Sequence, residues 1–557
     1  MGFLIRSRAR ERKGSVLLAA ACAALIAVGV DDAPAFNIPV ENENFDIKFD
    51  TTLRYTYGIR MEGRNGKLAN YAVNDDSNWL FGLHDTVANR LDILTEFDVL
   101  YKKVLGVRFS AQGWYDDAYD DYTGVNPRRG AAASSYDNAR FSNFTDRFYA
   151  GPSGEILDAL VFTKFDLAGM PVSVKGGRHT VYWGEALLLG GGLHGNSYGQ
   201  MPIDFQKGFA SPGAKVKELF RPLNNISFQI QVTNTVTLQG QYFLEWEPYR
   251  FPEGGTYLGP ADFLFHGPDK FNAFRQGAVL DPEHRGDVGV GIRWSPEWLQ
   301  GTVGFYYRNF SDKIPQILRT RADPTRYHMV YADDIDMFGL SLTRPVFGLA
   351  LGVDFNYRKN MPLNSQTFAL TDFPNQGETG GARGDTWHLV TNVIGILPEV
   401  RLFGFKIFDT ATYNAEGVFA RWERVRSGEQ FFNAEGFAPC IGKNKYDGCV
   451  TKNFFSLGGN FIPTWFQVLP GADLTLPLSY SRGVVGNAPN AFGGNQGTGN
   501  YAVGVGVNLY QRYLFDIKYV DFFGPTKENA TSVVSQNGLT ALLKDRGALY
   551  FTFKTTF

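Results

Sequence analysis

The stretch IKFDTTLRYTYGIR (Ile47–Arg60) decides the fold class, because its side chains alternate with a period of two. Every second residue from Ile47 onward is apolar, aromatic or threonine, and the residues between them are polar, charged or glycine. This is the period of an extended strand with one apolar face and one polar face. The apolar face of such a strand packs either on a protein core or against lipid.

The same alternation returns along the whole chain of 557 residues. It is clear in RLDILTEFDVLY (90–101), TVTLQGQYFLEW (235–246) and LALGVDFNYR (349–358). We count about eighteen such segments, most of them about ten to fourteen residues long, and this length suits strands that cross a bilayer at a tilt. The 63 glycines, 27 tyrosines and 47 phenylalanines agree with β-structure that contains many turns.

The connections between these segments alternate strictly between long and short. The nine long links are Met61–Thr86, Asp117–Glu155, Trp183–Leu223, Glu247–Arg285, Ser311–Asp334, Lys359–Arg383, Glu423–Asn453, Gly483–Asn500 and Gly524–Lys544. Short links include KK (102–103), SPEW (295–298) and LPGA (469–472). This pattern predicts an all-β protein, a transmembrane antiparallel β-barrel of about 18 strands (16–18), with long extracellular loops and short periplasmic turns in a bacterial outer membrane.

Soluble β-sandwiches and propellers also alternate, but they fit this chain less well. About eighteen long strands exceed one sandwich, and no repeat of four short strands per blade is visible. The polar faces carry many charges, such as Lys48, Arg54, Asp92 and Glu96. Charges of this kind suit a water-filled lumen, whereas the apolar faces are mostly free of charge, as lipid requires. A closed barrel also leaves no unpaired backbone in hydrocarbon.

The N-terminus has the three parts of a secretory signal peptide. A basic stretch precedes the apolar run Val16–Val30, and Ala33–Ala35 ends it with small residues. The alternative is an anchor helix, but the run is shorter than the roughly twenty residues that span a bilayer. We expect cleavage between Ala35 and Phe36. The predicted organisation is a signal peptide at 1–35, a short periplasmic segment at 36–46 and the barrel at 47–557.

Two further features concern the mature chain. Cys440 and Cys449 form an even pair at short spacing in an exported protein, which predicts one disulfide. Their surroundings supply too few other ligands for a metal site.

The last strand ends on Phe557 and is similar to the assembly signal of bacterial outer-membrane barrels. We therefore expect the outer-membrane assembly machinery to be a partner.

One dense group of motifs gives the chain a family resemblance. The elements are GR…WGE, LGGG, PIDF, SPGA.VKE and RPLN, followed by W.P.R.P..GTY…DF, over about Gly176–Phe265. Thinner matches follow at YSRGVVGNAP and YLFDIKYVDFFGP. Together they closely resemble the domain-of-unknown-function 1302 family (DUF1302) of bacterial outer-membrane proteins. The resemblance implies a channel-like protein that belongs to systems handling hydrophobic compounds.

The third long loop lies within these motifs and is too apolar to extend into water. Its residues Gly190–Gly192 allow close backbone approach, and Trp183 and several leucines surround them. We expect this loop to fold into the lumen and narrow the pore. The residues predicted to form or line the constriction are Arg178, Trp183, Glu185, Asp204, Lys217, Glu218 and Arg221. The alternative is that these residues only fold the loop.

The sequence predicts a porin-like channel that passes a small, hydrophobic or aromatic solute across the outer membrane. The alternative is a structural or docking component of an envelope system that moves lipids or other hydrophobic compounds, with a periplasmic or inner-membrane partner. We expect no enzymatic activity, no cofactor and no metal, since the seven histidines show no metal-binding spacing. A formal net charge of −2 gives no sign of a nucleic-acid partner. Outer-membrane lipid and lipopolysaccharide are the remaining expected partners.

Overall fold

The computed structural model describes residues 36–557 except 39, 41, 120–133, 188–189, 211–215 and 367. The signal peptide and Ala35 therefore lie outside the described residues. The barrel strands, numbered β1 to β18 in chain order, are Phe45–Arg60, Thr86–Tyr101, Leu105–Asp116, Ser153–Leu167, Met170–His179, Leu223–Gln231, Val236–Phe243, Val288–Trp294, Thr302–Phe310, Ile335–Val346, Leu349–Pro362, Arg383–Leu397, Thr410–Ser427, Asn453–Leu469, the interrupted strand Ala472–Thr475 with Leu478–Val485, Gly499–Leu509, Tyr513–Phe523 and Ala548–Thr556.

Each barrel strand pairs antiparallel with its neighbours in the sequence, and β18 pairs with β1, so the sheet closes on itself. The two segments of β15 count as one strand because both pair with β14 and β16. The short strand Phe36–Asn37 only extends the edge of β1. The prediction of a closed antiparallel barrel of about 18 strands is confirmed.

The barrel is polar inside and apolar outside, as the period-two pattern predicts. In β1, Arg54, Thr56 and Arg60 are buried in the interior, whereas Phe49 is 40% exposed on the outer wall. In β2, the outward Ile93 is 42% exposed. Because an exposed apolar band around a closed barrel matches the hydrocarbon of a bilayer, the protein is a barrel of the bacterial outer membrane. Among the described residues, no α-helix has the length and apolar character of a membrane span.

The nine long loops all lie at one end of the barrel, as predicted. Loops L1 to L9 comprise residues 61–85, 117–152, 180–222, 244–287, 311–334, 363–382, 428–452, 486–498 and 524–547. At the opposite, periplasmic end the connections are short, except that residues 398–409 between β12 and β13 form a hairpin of Val400–Leu402 and Phe405–Phe408. The first described residue, Phe36, and the last, Phe557, lie at this periplasmic end, where the backbone of Phe557 exchanges two hydrogen bonds with Thr51.

The long loops contain short elements of their own. Their α-helices, α1 to α5, are Asp75–Leu80, Asn143–Tyr149, Gly190–Leu193, Phe205–Ala210 and Val216–Leu219. Their strands are Lys270–Phe271, Phe274–Gln276, Gln316–Thr320, Arg326–Val330, Phe368–Leu370, Thr526–Glu528 and Val533–Gln536. Their 3₁₀ turns are Asp117–Tyr119, Asp137–Ala139, Glu429–Phe431, Ala438–Cys440, Lys445–Asp447 and Leu539–Leu543, and a further 3₁₀ turn, Glu297–Leu299, lies in the periplasmic connection between β8 and β9.

The largest apolar clusters are built by the loops and by the extracellular ends of the strands. One of them joins Tyr198 of L3, Phe251 and Phe265 of L4, and Phe310 at the end of β9. Burial of apolar surface between loops stabilises them against the barrel and against one another. Cys440 and Cys449 are joined by a disulfide within L7.

Candidate functional site

L3 leaves the end of β5 and crosses the lumen to the opposite wall. Trp183 is buried, and its ring stacks on Tyr306 of β9 with the ring centroids 5.5 Å apart. Its backbone N–H donates to Oε1 of Gln200 at 2.9 Å. The N–H of Leu187 donates to the carboxylate of Glu416 on β13 at 2.5 Å. The prediction that the third long loop folds into the lumen is confirmed.

Asp354 of β11 holds two separate parts of L3. Its Oδ1 accepts from the N–H of Glu185 at 2.9 Å, and its Oδ2 accepts from the N–H of Asn196 at 3.0 Å. The side chain of Asn392 on β12 donates to the carbonyl of Glu185 at 2.7 Å. Asp354 is fully buried, so these are charge-assisted hydrogen bonds inside the barrel. They fix both ends of the crossing segment to the same wall.

Gly184 is needed where L3 approaches this carboxylate. Its φ of +101° lies in the region that favours glycine. A Cβ placed at this position would lie only 2.3 Å from Oδ2 of Asp354. The glycine of the WGE motif therefore permits the close contact between the L3 backbone and β11.

Two buried arginines bind the carbonyl groups of the same loop. Arg308 of β9 donates to the carbonyls of Asn196 at 3.1 Å and Tyr198 at 2.7 Å. Arg358 of β11 donates to the carbonyl of Gly195 at 3.2 Å. The wall thus offers a carboxylate to the N–H groups of L3 and guanidinium groups to its carbonyls, which satisfies its buried backbone.

A histidine pair fixes the middle of the loop. Nδ1 of His194 lies 2.9 Å from Nδ1 of His388 on β12, and Nε2 of His194 lies 2.8 Å from the carbonyl of Gly493 in L8. Burial lowers the pKa of His194 to about 3, so its ring is neutral at neutral pH. His194 thereby connects L3 to β12 in the barrel wall and to the extracellular loop L8.

The returning half of L3 meets the wall through ion pairs. Glu218 pairs with Arg54 of β1 at 2.6 Å and lies 3.9 Å from Lys207. Asp204 pairs with Arg250 of L4 at 2.5 Å, and Arg250 also reaches Glu155 of β4 at 3.1 Å. Burial lowers the pKa of Lys207, and the nearby carboxylates oppose this shift. Each of these charges has a partner of opposite sign.

The structure brings some of the predicted constriction residues into the lumen and places others at its rim. Trp183, Glu185 and Glu218 line lumen cavities, and Asp204 is buried within L3. The side chain of Lys217 lies outside the description.

Arg178 lies at the rim instead, and the buried Arg221 lies beside L4. Strand alternation puts Arg178 on the face opposite to His179, and its guanidinium binds Glu245 at 2.8 Å. Arg221 binds Glu247 and the carbonyl of Pro248 in L4. These two arginines therefore fasten L4 beside the strand ends.

Two cavities with charged residues in their lining lie on the periplasmic side of L3. One, of about 440 Å³, is lined by residues that include Lys175, Trp183, Glu185, Arg293 and Tyr306. The other, of about 510 Å³, is lined by residues that include Glu96, Asp98, Arg108, Asp158 and Lys175. Desolvation raises the pKa of Glu185, and Arg293 opposes that shift. L3 borders these cavities on their extracellular side. Trp183, Tyr306 and the carboxylate of Glu185 face the first of them.

One group of carboxylates elsewhere has the spacing of metal ligands. Oxygens of Asp75, Asp76 and Asp262 lie within 4.8 Å of one another where L1 meets L4. Asp76 also accepts from the backbone N–H of Ser135 at 2.7 Å, and Asp262 accepts from the N–H of Asp76 at 3.1 Å. The group therefore already connects L1, L2 and L4 through hydrogen bonds.

The wall residues that hold L3 have a signal in the sequence, but their partners do not. Asp354 and Arg358 lie on the polar face of the alternating segment 349–358. The pattern predicts that they face the lumen, but it does not indicate what they bind.

A Gly-x-Ser-x-Gly pattern also occurs at Gly195–Gly199, in a run of turns rather than at a strand-to-helix elbow. Ser197 there hydrogen-bonds Tyr182.

Comparison with known proteins gives the following likenesses. The barrel is similar to OpdK of Pseudomonas aeruginosa solved with vanillate, with 9% identity, a TM-score of 0.40 and coverage of 92% of this chain and 98% of that chain. It is also similar to OccAB1 of Acinetobacter baumannii, with 9% identity, a TM-score of 0.42 and coverage of 95% and 99%. No curated protein matches the sequence. The family described as "Protein of unknown function (DUF1302)" matches residues 15–557, nearly the whole chain, and the protein belongs to this family.

Proposed function

We propose that this protein is a porin-like channel that passes a small, hydrophobic or aromatic solute across the outer membrane. The observation that carries this proposal is L3, which divides the lumen and is held there by Asp354, Arg308 and Arg358. An 18-stranded barrel encloses more space than its own side chains fill. An inward loop then sets the width and chemistry of the passage.

Aromatic side chains on both sides of L3 support an apolar or aromatic solute. On the periplasmic side, Trp183 stacks on Tyr306 above a polar cavity. On the extracellular side, Phe251 stacks on Phe205 and Phe265 with centroids 4.9 and 4.8 Å apart. Aromatic faces bind apolar rings favourably, whereas the charged wall keeps the remaining lumen wet.

Planar-bilayer recordings of the purified protein test this function. We expect discrete conductance steps that grow larger when residues 189–192 are deleted, because the L3 partition is then shortened. We also expect current blockades from a small phenol but none from glucose at the same concentration. Absence of steps from correctly folded protein would refute the channel.

A second function, a docking component of an envelope transport system, is favoured by the periplasmic hairpin between β12 and β13. Phe403 at its tip is 91% exposed and Phe405 is 76% exposed. Exposed aromatic side chains of this kind are typical of protein contact sites. Pull-down from envelope extracts with the native protein and with Phe403→Ser tests it. A periplasmic or inner-membrane partner that is lost in the variant, together with no conductance, would favour docking over transport.

The remaining proposed partners are lipid, lipopolysaccharide and the assembly machinery. The apolar outer wall provides the lipid contact. Phe557 is 40% exposed at the end of the closing strand, where a recognition partner can reach it. We expect Phe557→Ala to lower the amount of folded protein in the outer membrane, whereas Phe347→Ala, at an exposed periplasmic turn, leaves it unchanged.

A further inference from the structure

A cavity of about 330 Å³ lies among the extracellular loops, between L3, L4, L5, L6, L7, L8 and L9. Its apolar lining includes Phe265, Ile314, Met361, Phe492 and Leu539. Small-molecule sites in proteins are commonly of this size, and the lining here combines these apolar side chains with several polar ones. The described lining residues include no lysine or arginine but do include two carboxylates, Asp312 and Asp447. The cavity therefore disfavours an anion.

One polar side chain in the cavity wall is buried without a hydrogen-bond partner. Asn490 of L8 is only 2% exposed, and both Nδ2 and Oδ1 lack a partner among the described residues. Its backbone is fixed, because its carbonyl accepts from the N–H of Gly493 and the preceding carbonyl of Pro489 accepts from Asn364. The amide thus offers an NH₂ group that donates and a carbonyl oxygen that accepts, at a set position.

Phe492, two residues after Asn490 in L8, is held in an unfavourable backbone conformation. Phe492 has a φ of +60°, which is rare for an aromatic residue. Its ring stacks on Phe251 with the centroids 4.6 Å apart and lies 5.5 Å from Phe265. Such strain is found preferentially at ligand-binding positions, where the surrounding structure maintains it. L8 therefore presents an aromatic ring and a free amide to the same cavity.

We propose that this cavity binds a small uncharged molecule with an apolar body and one group that both donates and accepts a hydrogen bond, such as a phenol or an alcohol. The apolar body packs against Phe265, Met361 and Phe492, and the polar group pairs with the amide of Asn490. This assignment rests on the proposed channel function and names the class of solute that the extracellular side recognises.

Binding of benzyl alcohol, toluene and benzoate to the folded barrel in nanodiscs, followed by saturation-transfer NMR, tests the site. We expect saturable binding of benzyl alcohol and weaker binding of toluene and benzoate. Asn490→Leu is expected to weaken benzyl alcohol binding at least about tenfold and to leave toluene binding unchanged, because only the hydrogen-bonding group is removed. Asn375→Leu, on the exposed surface of L6, is the matched control and should bind as the native protein does.

Asn490→Asp supplies a second variant with nearly the same shape, and it should also bind benzyl alcohol more weakly. Folding of every variant is checked by its heat-dependent mobility in SDS gels. Absence of saturable binding to the native protein, or equal binding by Asn490→Leu, would overturn the proposal. Conductance measured on the same protein separates the two proposals. Conductance steps without ligand binding would refute only the binding site, and ligand binding without conductance steps would refute only the channel.

Discussion

The hydrogen bonds of Asp354 lead to a quantitative prediction for the L3 partition. Replacing Asp354 by alanine leaves the N–H groups of Glu185 and Asn196 without their acceptor in a buried setting. A hydrogen bond to a charged group contributes about 1.5–3 kcal/mol, so the loss is about 3–6 kcal/mol if the two add. Since each 1.4 kcal/mol is about tenfold in an equilibrium, local opening of L3 should become about 10²–10⁴ times more frequent.

Hydrogen exchange followed by mass spectrometry measures this opening directly. Peptides covering residues 183–187 and 194–199 should lose protection by that factor in Asp354→Ala, and conductance should rise in the same samples. Asn414→Ala is the control, because Asn414 also lies on the lumen wall but binds Asn460 of the neighbouring strand. Unchanged protection in Asp354→Ala, or an equal loss in Asn414→Ala, would refute the view that this carboxylate holds the loop.

Three further predictions concern stability. Arg54→Ala removes the 2.6 Å ion pair of the buried Glu218 and leaves its 3.9 Å contact with Lys207, so it should cost up to about 3–5 kcal/mol and lower the temperature at which the barrel loses its compact mobility in SDS gels. Burial raises the pKa of Glu253 in L4 to about 7 from its ordinary 4.5, so the stability of L4 should fall as pH rises from 4.5 to 7. In Glu253→Gln, melting curves followed by near-ultraviolet circular dichroism should depend less on pH in this range than those of the native protein. Cys440→Ser opens the L7 disulfide and should remove about 2.7 kcal/mol, seen as faster proteolysis of L7 with unchanged conductance.

Much of the barrel could be predicted from the sequence, because the side chains of a strand that faces lipid alternate between apolar and polar with a period of two residues. The alternation fixes which side chains of β1 face inward, such as Arg54 and Arg60, and the loop lengths fix which end faces outward. The apolar residues of L3 also predict that it enters the lumen. These features are local, so a single sequence contains them.

The partners of L3 could not be predicted, because they are distant in sequence and carry no shared pattern. Glu185 and Asp354 are 169 residues apart, and nothing in either segment indicates the other. Arg178 belongs to the GR…WGE element but lies at the outer rim, because strand alternation turns it away from His179. Its position in the sequence led to the prediction that Arg178 lines the lumen. The alternation of β5 instead determines the direction of its side chain.

The position of the L3 anchors has a consequence for biogenesis. L3 is synthesised between β5 and β6, but Asp354 and Glu416 belong to β11 and β13, which leave the ribosome much later. A partly inserted chain that has only its first ten strands contains Arg308 but lacks the two carboxylates that bind the N–H groups of L3. A barrel that stalls at that stage therefore has a lumen that L3 does not fully close. The permeability barrier of the cell then depends on insertion of the C-terminal strands before the barrel is released into the membrane.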